Sequence, residues 1–303
     1  MKKVQNVTAS VRQRLLNLSR ERGDDFQRMI TQYALERFLY RLSVSQHQDD
    51  FILKGAMLFS VWSNDRHRAT RDLDLLGFGD PSPDRLRNVI ETICAIETQE
   101  DGLQFDTRSL SVAHIREDKV YEGTRATFTA MLGRARIHVQ VDVGFGDATT
   151  PPPELIEFPT LLDFAAPKLR AYPRETAIAE KFEAMVALGI DKSRMKDFYD
   201  IAVLAGEFEF DGQRLQDAVR ETFLRRRTSV RNREPLSLTD EFYLNDHKET
   251  QWRAFVDKGQ LMRNTDSLEG TVRLIRDFIM PVAKAVRSGE SFAKVWVGNI
   301  GWH

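Results

Sequence analysis

Leu35, Phe38, Leu39 and Leu42 recur at the i, i+3, i+4, i+7 spacing of a single helical stripe. The first part of the chain is therefore expected to be helical and to bury that stripe. Ile52 to Trp62 is apolar except for Lys54, Gly55 and Ser60, and reads as a short strand or helix around Gly55. From Arg68 to Leu76 the pattern turns to alternation, and Gly77-Phe78-Gly79-Asp80 ends it. Ser82 followed by Pro83 supplies an N-cap and a first-turn proline for a helix through Arg85 to Ile96.

Residues 109 to 146 carry the pattern of antiparallel sheet. Thr127, Phe128 and Thr129 fall in one strand, and Leu132-Gly133-Arg134 turns the chain. Ile137, Val139, Val141 and Val143 then share one face of the next strand, with Arg136, His138, Gln140 and Asp142 on the other. The prolines at 151 to 153 are the strongest punctuation in the chain. They predict a first domain over 1–150 and a mainly helical one over 151–303. In the latter, 175 to 188 is Ala-rich with Gly189 as its stop, and a second helix from Ser193 to Leu204 buries Phe198, Ile201 and Ala202. Further helices are expected over Arg214 to Phe223, Lys248 to Gly259 and Leu268 to Val286. The fold class is α+β in the first half and helical in the second.

With 42% hydrophobic and 29% charged residues, the chain has the make-up of a folded globular protein. It contains no apolar run long enough to cross a bilayer, and its first residues lack the apolar core of a secretory signal. The single cysteine, Cys94, cannot form an internal disulfide, so a soluble, cytoplasmic protein with no membrane partner is expected. The near-balance of 44 basic and 45 acidic side chains hides a local basic cluster, Arg225-Arg226-Arg227 followed by Arg231 and Arg233. The cluster reads either as a solvated surface or as a contact for nucleic-acid phosphates.

Asp72-Leu73-Asp74 is the most informative triplet. In a strand, both carboxylates project from one face while Leu73 and Leu75 enter the core. Two neighbouring carboxylates repel unless a cation neutralises them, and a hard divalent ion, Mg2+ or Mn2+, suits such oxygens together with substrate phosphates. Asp142, on the polar face of a Val/Ile strand, adds a third carboxylate on a rigid platform. The competing reading is a strand-end aspartate paired with Arg136 or Arg134. Lys54 and Gly55, the glycine seventeen residues before Asp72, form a candidate phosphate cradle, and Arg68 and Arg71 add cationic donors. The six histidines show no zinc-ligand spacing, and neither a Walker loop nor a GxSxG nucleophile motif occurs.

The run KGAMLFSVWSNDRHRATRDLDLLGFG, followed in order by VDVGFGD, AEKFEAM and RMKDFYDIAVL, resembles the AbiEii/AbiGii-type nucleotidyltransferases. These are the toxins of bacterial toxin–antitoxin pairs. The opening TASVRQRLLNLSRERGDDFQRMITQYALERFLYRLS is also similar to that family, so the likeness spans residues 7 to 205 at least. The resemblance implies a polymerase β-like nucleotidyltransferase core with a mixed or antiparallel sheet and N-terminal helices. A C-terminal helical domain would complete the active-site cleft. It assigns Gly55 to the phosphate-binding turn, Asp72 and Asp74 to the metal, and Asp142 to the third acidic position. It makes Lys181 the lysine on the nucleotide phosphates and Asp197 the later aspartate needed for activity, with Asp200 one turn on as second choice. The family usually has Gly-Ser or Gly-Gly at the turn where this chain has Gly55-Ala56, which removes a hydroxyl contact but leaves the backbone donors.

The resemblance thus implies transfer of a nucleoside monophosphate from an NTP to an acceptor hydroxyl, a tRNA 3′ end among the candidates, with a cognate antitoxin as partner. Two alternatives stand beside it: transfer to a small molecule or a protein side chain, and a catalytically inactive protein that binds nucleotide or a partner.

Overall fold

The computed structural model describes residues 6–63, 68, 70–117, 121–189, 194–230, 233–259, 261, 267–298 and 300–303. Ser193 and Arg231, named above, lie outside the described residues. The chain divides into two compact units, Met1–Gly146 with Glu154–Ala171, and Asp147–Pro153 with Tyr172–His303.

The first unit begins with α1 (Val7–Arg22) and α2 (Phe26–Ser43). Asn6 caps α1 by accepting from the Ala9 N–H, and Asp25 caps α2 by accepting from the Arg28 N–H at 2.9 Å. Then come β1 (Phe51–Lys54), the one-turn helix α3 (Phe59–Trp62), β2 (Asp72–Gly77) and α4 (Pro83–Cys94). Ser82 and Pro83 start α4 as their types demand. The long strands β3 (Leu103–Glu117), β4 (Tyr121–Leu132) and β5 (Ala135–Phe145) follow, then the short β6 (Glu154–Glu157) and β7 (Lys168–Ala171). The described residues form a seven-stranded mixed sheet in the order β3-β4-β5-β2-β1-β7-β6. β2 runs parallel to β5 and β1 parallel to β7, while the other neighbours are antiparallel.

The predicted stripe on α2 is buried, and α2 lies on the sheet, with the Phe38 and Phe128 ring centroids 5.6 Å apart. Leu73, Leu75, Val139, Val141 and Val143 are all buried. Strand alternation therefore puts Asp72, Asp74, Gln140 and Asp142 on the opposite face.

The helix α2 buries charge as well as apolar surface. Arg41 makes a forked pair with Asp101, at 2.7 and 3.3 Å, and Arg37 donates to the Ala165 carbonyl at 2.7 Å. Glu36 accepts from the Leu161 N–H at 2.7 Å and lies 3.3 Å from Arg37 Nε. Buried charge is tolerable only with such partners. Two adjacent α2 residues thus hold both sides of the segment that joins β6 to β7.

The second unit contains α5 (Arg174–Leu188), α6 (Met195–Glu207), β8 (Phe210–Asp211) and α7 (Gly212–Arg225). These are followed by α8 (Asp240–Tyr243), α9 (Asp246–Gly259), α10 (Leu268–Ser288), β9 (Val295–Val297) and β10 (Gly301–Trp302). The helices form where periodicity places them. The second half is not wholly helical, however, because β10-β9-β8 make a small sheet. Its two- and three-residue strands are too short for alternation to reveal. They are fixed by aromatic packing, with Trp296 Nε1 donating to the Ala205 carbonyl at 2.7 Å and Trp302 Nε1 to that of Phe278 at 2.9 Å. Among the described residues no helix is long and apolar enough to cross a membrane.

Burial drives the Glu36 carboxyl up to about 7, opposed by the Leu161 N–H and Arg37 and reinforced by Asp101. A carboxyl raised on folding favours the folded state while protonated, so its contribution is complete below the ordinary carboxylate range and lost as pH rises to about 7. Glu36→Gln keeps an acceptor for Leu161 and removes the titration. Its stability advantage over wild type should grow by on the order of 2–3 kcal/mol between about pH 4 and about pH 8. Urea unfolding of both proteins at the two pH values measures this.

Candidate active site

Cross-strand register gathers one polar row on the open face of the first unit's sheet. Lys54 on β1 is the Cα partner of Asp74 on β2, Asp74 of Asp142 on β5, and Asp142 of Arg125 on β4. The charges along the row read plus, minus, minus, plus. Like charges directly opposite one another destabilise a sheet, and opposite charges stabilise it. Lys54 and Arg125 therefore flank the two acids where they offset the repulsion. The next row on this face carries Asp72, Gln140 and Thr127.

Asp72 and Asp74 are half-buried, with Leu73 and Leu75 enclosed between and after them. This is the geometry that alternation predicted. Gly55 follows Lys54 at φ +76°, a conformation that favours glycine. A methyl group there would overlap Asp74 Oδ2 and lie 2.8 Å from its Cβ and Cγ. A methyl group on Gly144 would lie 3.2 Å from Lys54 Nζ, so the ammonium reaches along this face to β5. Residues Gly55–Leu58 form a 3-10 turn that leads into one-turn α3. The expected helix after Gly55 is thus only four residues long, and any phosphate cradle there rests on the turn's own first N–H groups. Arg68 is half-buried, and Arg71 is exposed immediately before β2.

Asp142 is only 11% exposed, and its partner is neither Arg134 nor Arg136. Arg125 Nε meets Oδ1 and Arg125 Nη2 meets Oδ2, each at 2.7 Å, and Gln140 Nε2 donates to Oδ2 at 3.1 Å. Arg136 stands six residues back along an extended strand, roughly 20 Å away, which excludes it. Arg125 was missed although its signal is present. Gly133, at φ +65°, opens the two-residue loop between Leu132 and Ala135, and counting back from that loop pairs residue 125 with residue 142. Among the described residues, no three acidic, histidine or cysteine side chains stand together as a ready metal-holding group.

The second unit has a cluster of its own. Lys181 on α5 is 14% exposed and donates to Asp200 Oδ2 at 2.7 Å and to Asp197 Oδ1 at 3.4 Å. It is not the solvated lysine its glutamate neighbours suggest. Asp197 and Asp200, one turn apart on α6, are both buried, and Arg194 pairs with Asp197. Both aspartates therefore meet the lysine. Glu180 and Glu183 turn instead to Arg226, which pairs with Glu183 at 3.0 Å, Glu180 at 3.3 Å and both oxygens of Asp147. This corrects the reading of Arg225 to Arg227 as a common phosphate-binding run, because Arg226 is occupied by three carboxylates. Arg225, Arg227 and Arg233 are exposed.

A family model described as nucleotidyl transferase AbiEii toxin, type IV toxin–antitoxin system, matches residues 37–273. Comparison with curated proteins gives no match. Two crystal structures from Helicobacter pylori are similar. One, of a protein described as a nucleotidyltransferase, has 13% identity and a TM-score of 0.50 over 88% of this chain and 100% of that one. The other, JHP933, has 13% identity and a TM-score of 0.49 over 88% of this chain and 95% of that one. At 13% identity the first of these likenesses speaks to the fold alone.

The approach of Gly55 to Asp74 has a measurable signature. Gly55→Ala should cost at least about 1–2 kcal/mol from the backbone conformation alone. Asp74→Ala should relieve the part of the overlap made by the carboxylate, though not that with Cβ, so the double variant should fall short of additivity by about 1 kcal/mol. Chemical denaturation of the four proteins gives the coupling, and strict additivity would contradict the contact.

Proposed function

The chain belongs to the nucleotidyl transferase AbiEii toxin family of type IV toxin–antitoxin systems, and from that premise we propose that the carboxylate face of its first unit is the site of nucleotidyl transfer. The observation that carries this reading is the pair Asp72 and Asp74, side by side on one strand face beside Lys54 and Gly55.

These residues fit a hard divalent cation. Two carboxylates on one face, with room left at Gly55 where any side chain would intrude, suit Mg2+ or Mn2+, which takes few protein oxygens and completes its shell with phosphates and water. Asp72 and Asp74 would hold the ion, and Asp142 is the candidate third carboxylate. When bound, such an ion polarises phosphoryl oxygens and makes an attacking hydroxyl more acidic.

In the reaction, the acceptor hydroxyl gives up its proton to solvent as its oxygen bonds to the α-phosphorus of the NTP. The bond from that phosphorus to the bridging oxygen breaks, and pyrophosphate leaves with the negative charge. Lys54 limits repulsion among the carboxylates, and Gly55 lets the chain pass close to the site. Arg68 and Arg71 are cationic donors for phosphate. The family resemblance gives the nucleotide phosphates to Lys181, which Asp197 and Asp200 hold in place. The reading takes an RNA 3′ end, tRNA included, as the acceptor, with Arg225 and Arg227 as its exposed phosphate contacts and a cognate antitoxin as the opposing gene product.

Asp72→Asn and Asp74→Asn should each lower transfer by at least about 100-fold with unfolding curves near wild type, and excess EDTA should abolish it. Lys181→Met keeps the apolar stem, leaves the helix folded and should raise the apparent KM for NTP. The assay incubates protein with each α-labelled NTP and total cellular RNA. Label in RNA supports the RNA acceptor, whereas label in protein or in small molecules redirects the acceptor assignment. Full activity in either aspartate variant would sink the proposed site.

A further inference from the structure

We propose that Arg125 and a divalent cation are alternative partners of Asp142, so that Arg125 controls whether the third carboxylate joins the metal site. The inference rests on the reading of Asp72 and Asp74 as metal carboxylates and adds a residue which that reading does not contain.

Three observations carry it. The fork from Arg125 engages both oxygens of Asp142 at 2.7 Å, and Gln140 adds a third donor at 3.1 Å. Asp142 is nevertheless the Cα partner of Asp74 on the adjacent parallel strand, so its backbone already stands beside the metal pair. And although Asp72, Asp74 and Asp142 come from neighbouring strands, no group of three metal-type side chains is assembled among the described residues. The Asp142 carboxylate is thus held by Arg125 and Gln140, while its backbone stands in register with Asp74.

A guanidinium and a dication cannot share one carboxylate comfortably. Each takes the same in-plane lone pairs, and their charges repel at contact distance. Binding of one should therefore weaken binding of the other. Arg125 is 39% exposed on a long side chain, while Asp142 is fixed and nearly enclosed, so the arginine is the member able to leave. A displaced guanidinium on this face would find its best acceptor in a phosphate, which its planar fork fits in two-point fashion. The exchange would couple metal uptake to the arrival of phosphate. Arg125 is thus a positioning residue, acting through Asp142.

The test uses the full chain and Mn2+ alone, read by electron paramagnetic resonance of the unbound ion. Arg125→Gln should tighten Mn2+ binding roughly three- to tenfold, because Asp142 is released. Arg125→Lys, which keeps the charge but loses the fork, should fall between that variant and wild type. In the Asp142→Asn background, Arg125→Gln should give no gain. A purely structural arginine predicts a lower melting temperature with Mn2+ affinity unchanged or weaker, and that result overturns the proposal. A gain that persists in Asp142→Asn overturns it too. Asp72→Asn serves as the separate control: retained wild-type Mn2+ affinity there would refute the metal assignment itself, while the comparison of Arg125 variants still judges the competition at Asp142.

Discussion

The backbone of residue 55 passes so close to the Asp74 carboxylate that no side chain fits between them. This approach ties β1 to β2 at the point where both strands meet the polar face. Given that pairing, the position of Lys54 opposite Asp74 follows. Given the parallel pairing of β2 with β5, so does the position of Asp142, and the β4–β5 hairpin then brings Arg125 to the end of the row. The site is thus specified by register, which a strand with one buried face sets strongly.

The other face of the sheet supplies the rigidity. Val139, Val141, Val143, Leu73 and Leu75 are buried, and α2 packs on β5. Burying each such side chain contributes about 1.5–3 kcal/mol, enough in sum to hold two neighbouring acids in positions their mutual repulsion opposes. The helix that covers this face also fixes the β6–β7 connection through Glu36 and Arg37. The second unit separates its charges in a comparable way, with the aspartates of α6 serving Lys181, and Glu180 and Glu183 of α5 serving Arg226. A lysine held by two buried carboxylates has a defined position, which an exposed lysine lacks.

Much of this was legible in the residues because it depends on parity. Alternation alone puts Asp72 with Asp74 and Asp142 opposite Val141 and Val143. The four-residue helical spacing located α2 and its stripe. Other features needed partners remote in sequence. Arg226 looks like the middle of a basic run until Asp147, Glu180 and Glu183 are brought to it. Arg134 and Arg136 look like partners for Asp142 because they are near in sequence, yet extension of the strand carries them away while the hairpin returns Arg125. The strands β6 and β7 and the small sheet of β8 to β10 escaped because segments of two to four residues carry too little periodicity. The glycine at 55 was picked out for its place before the acidic strand, but its contact with Asp74 could only be seen once β1 and β2 were paired.

The central claim is that the carboxylate face of the first unit holds the metal on which nucleotidyl transfer depends. Crystals grown with Mn2+ and tripolyphosphate, the part common to every NTP, test it directly through the anomalous signal of the ion. The account predicts a peak roughly 2 Å from oxygens of both Asp72 and Asp74, with phosphate oxygens completing its shell. A peak held by other residues, or none beside this pair while the ion is bound in solution, would contradict it.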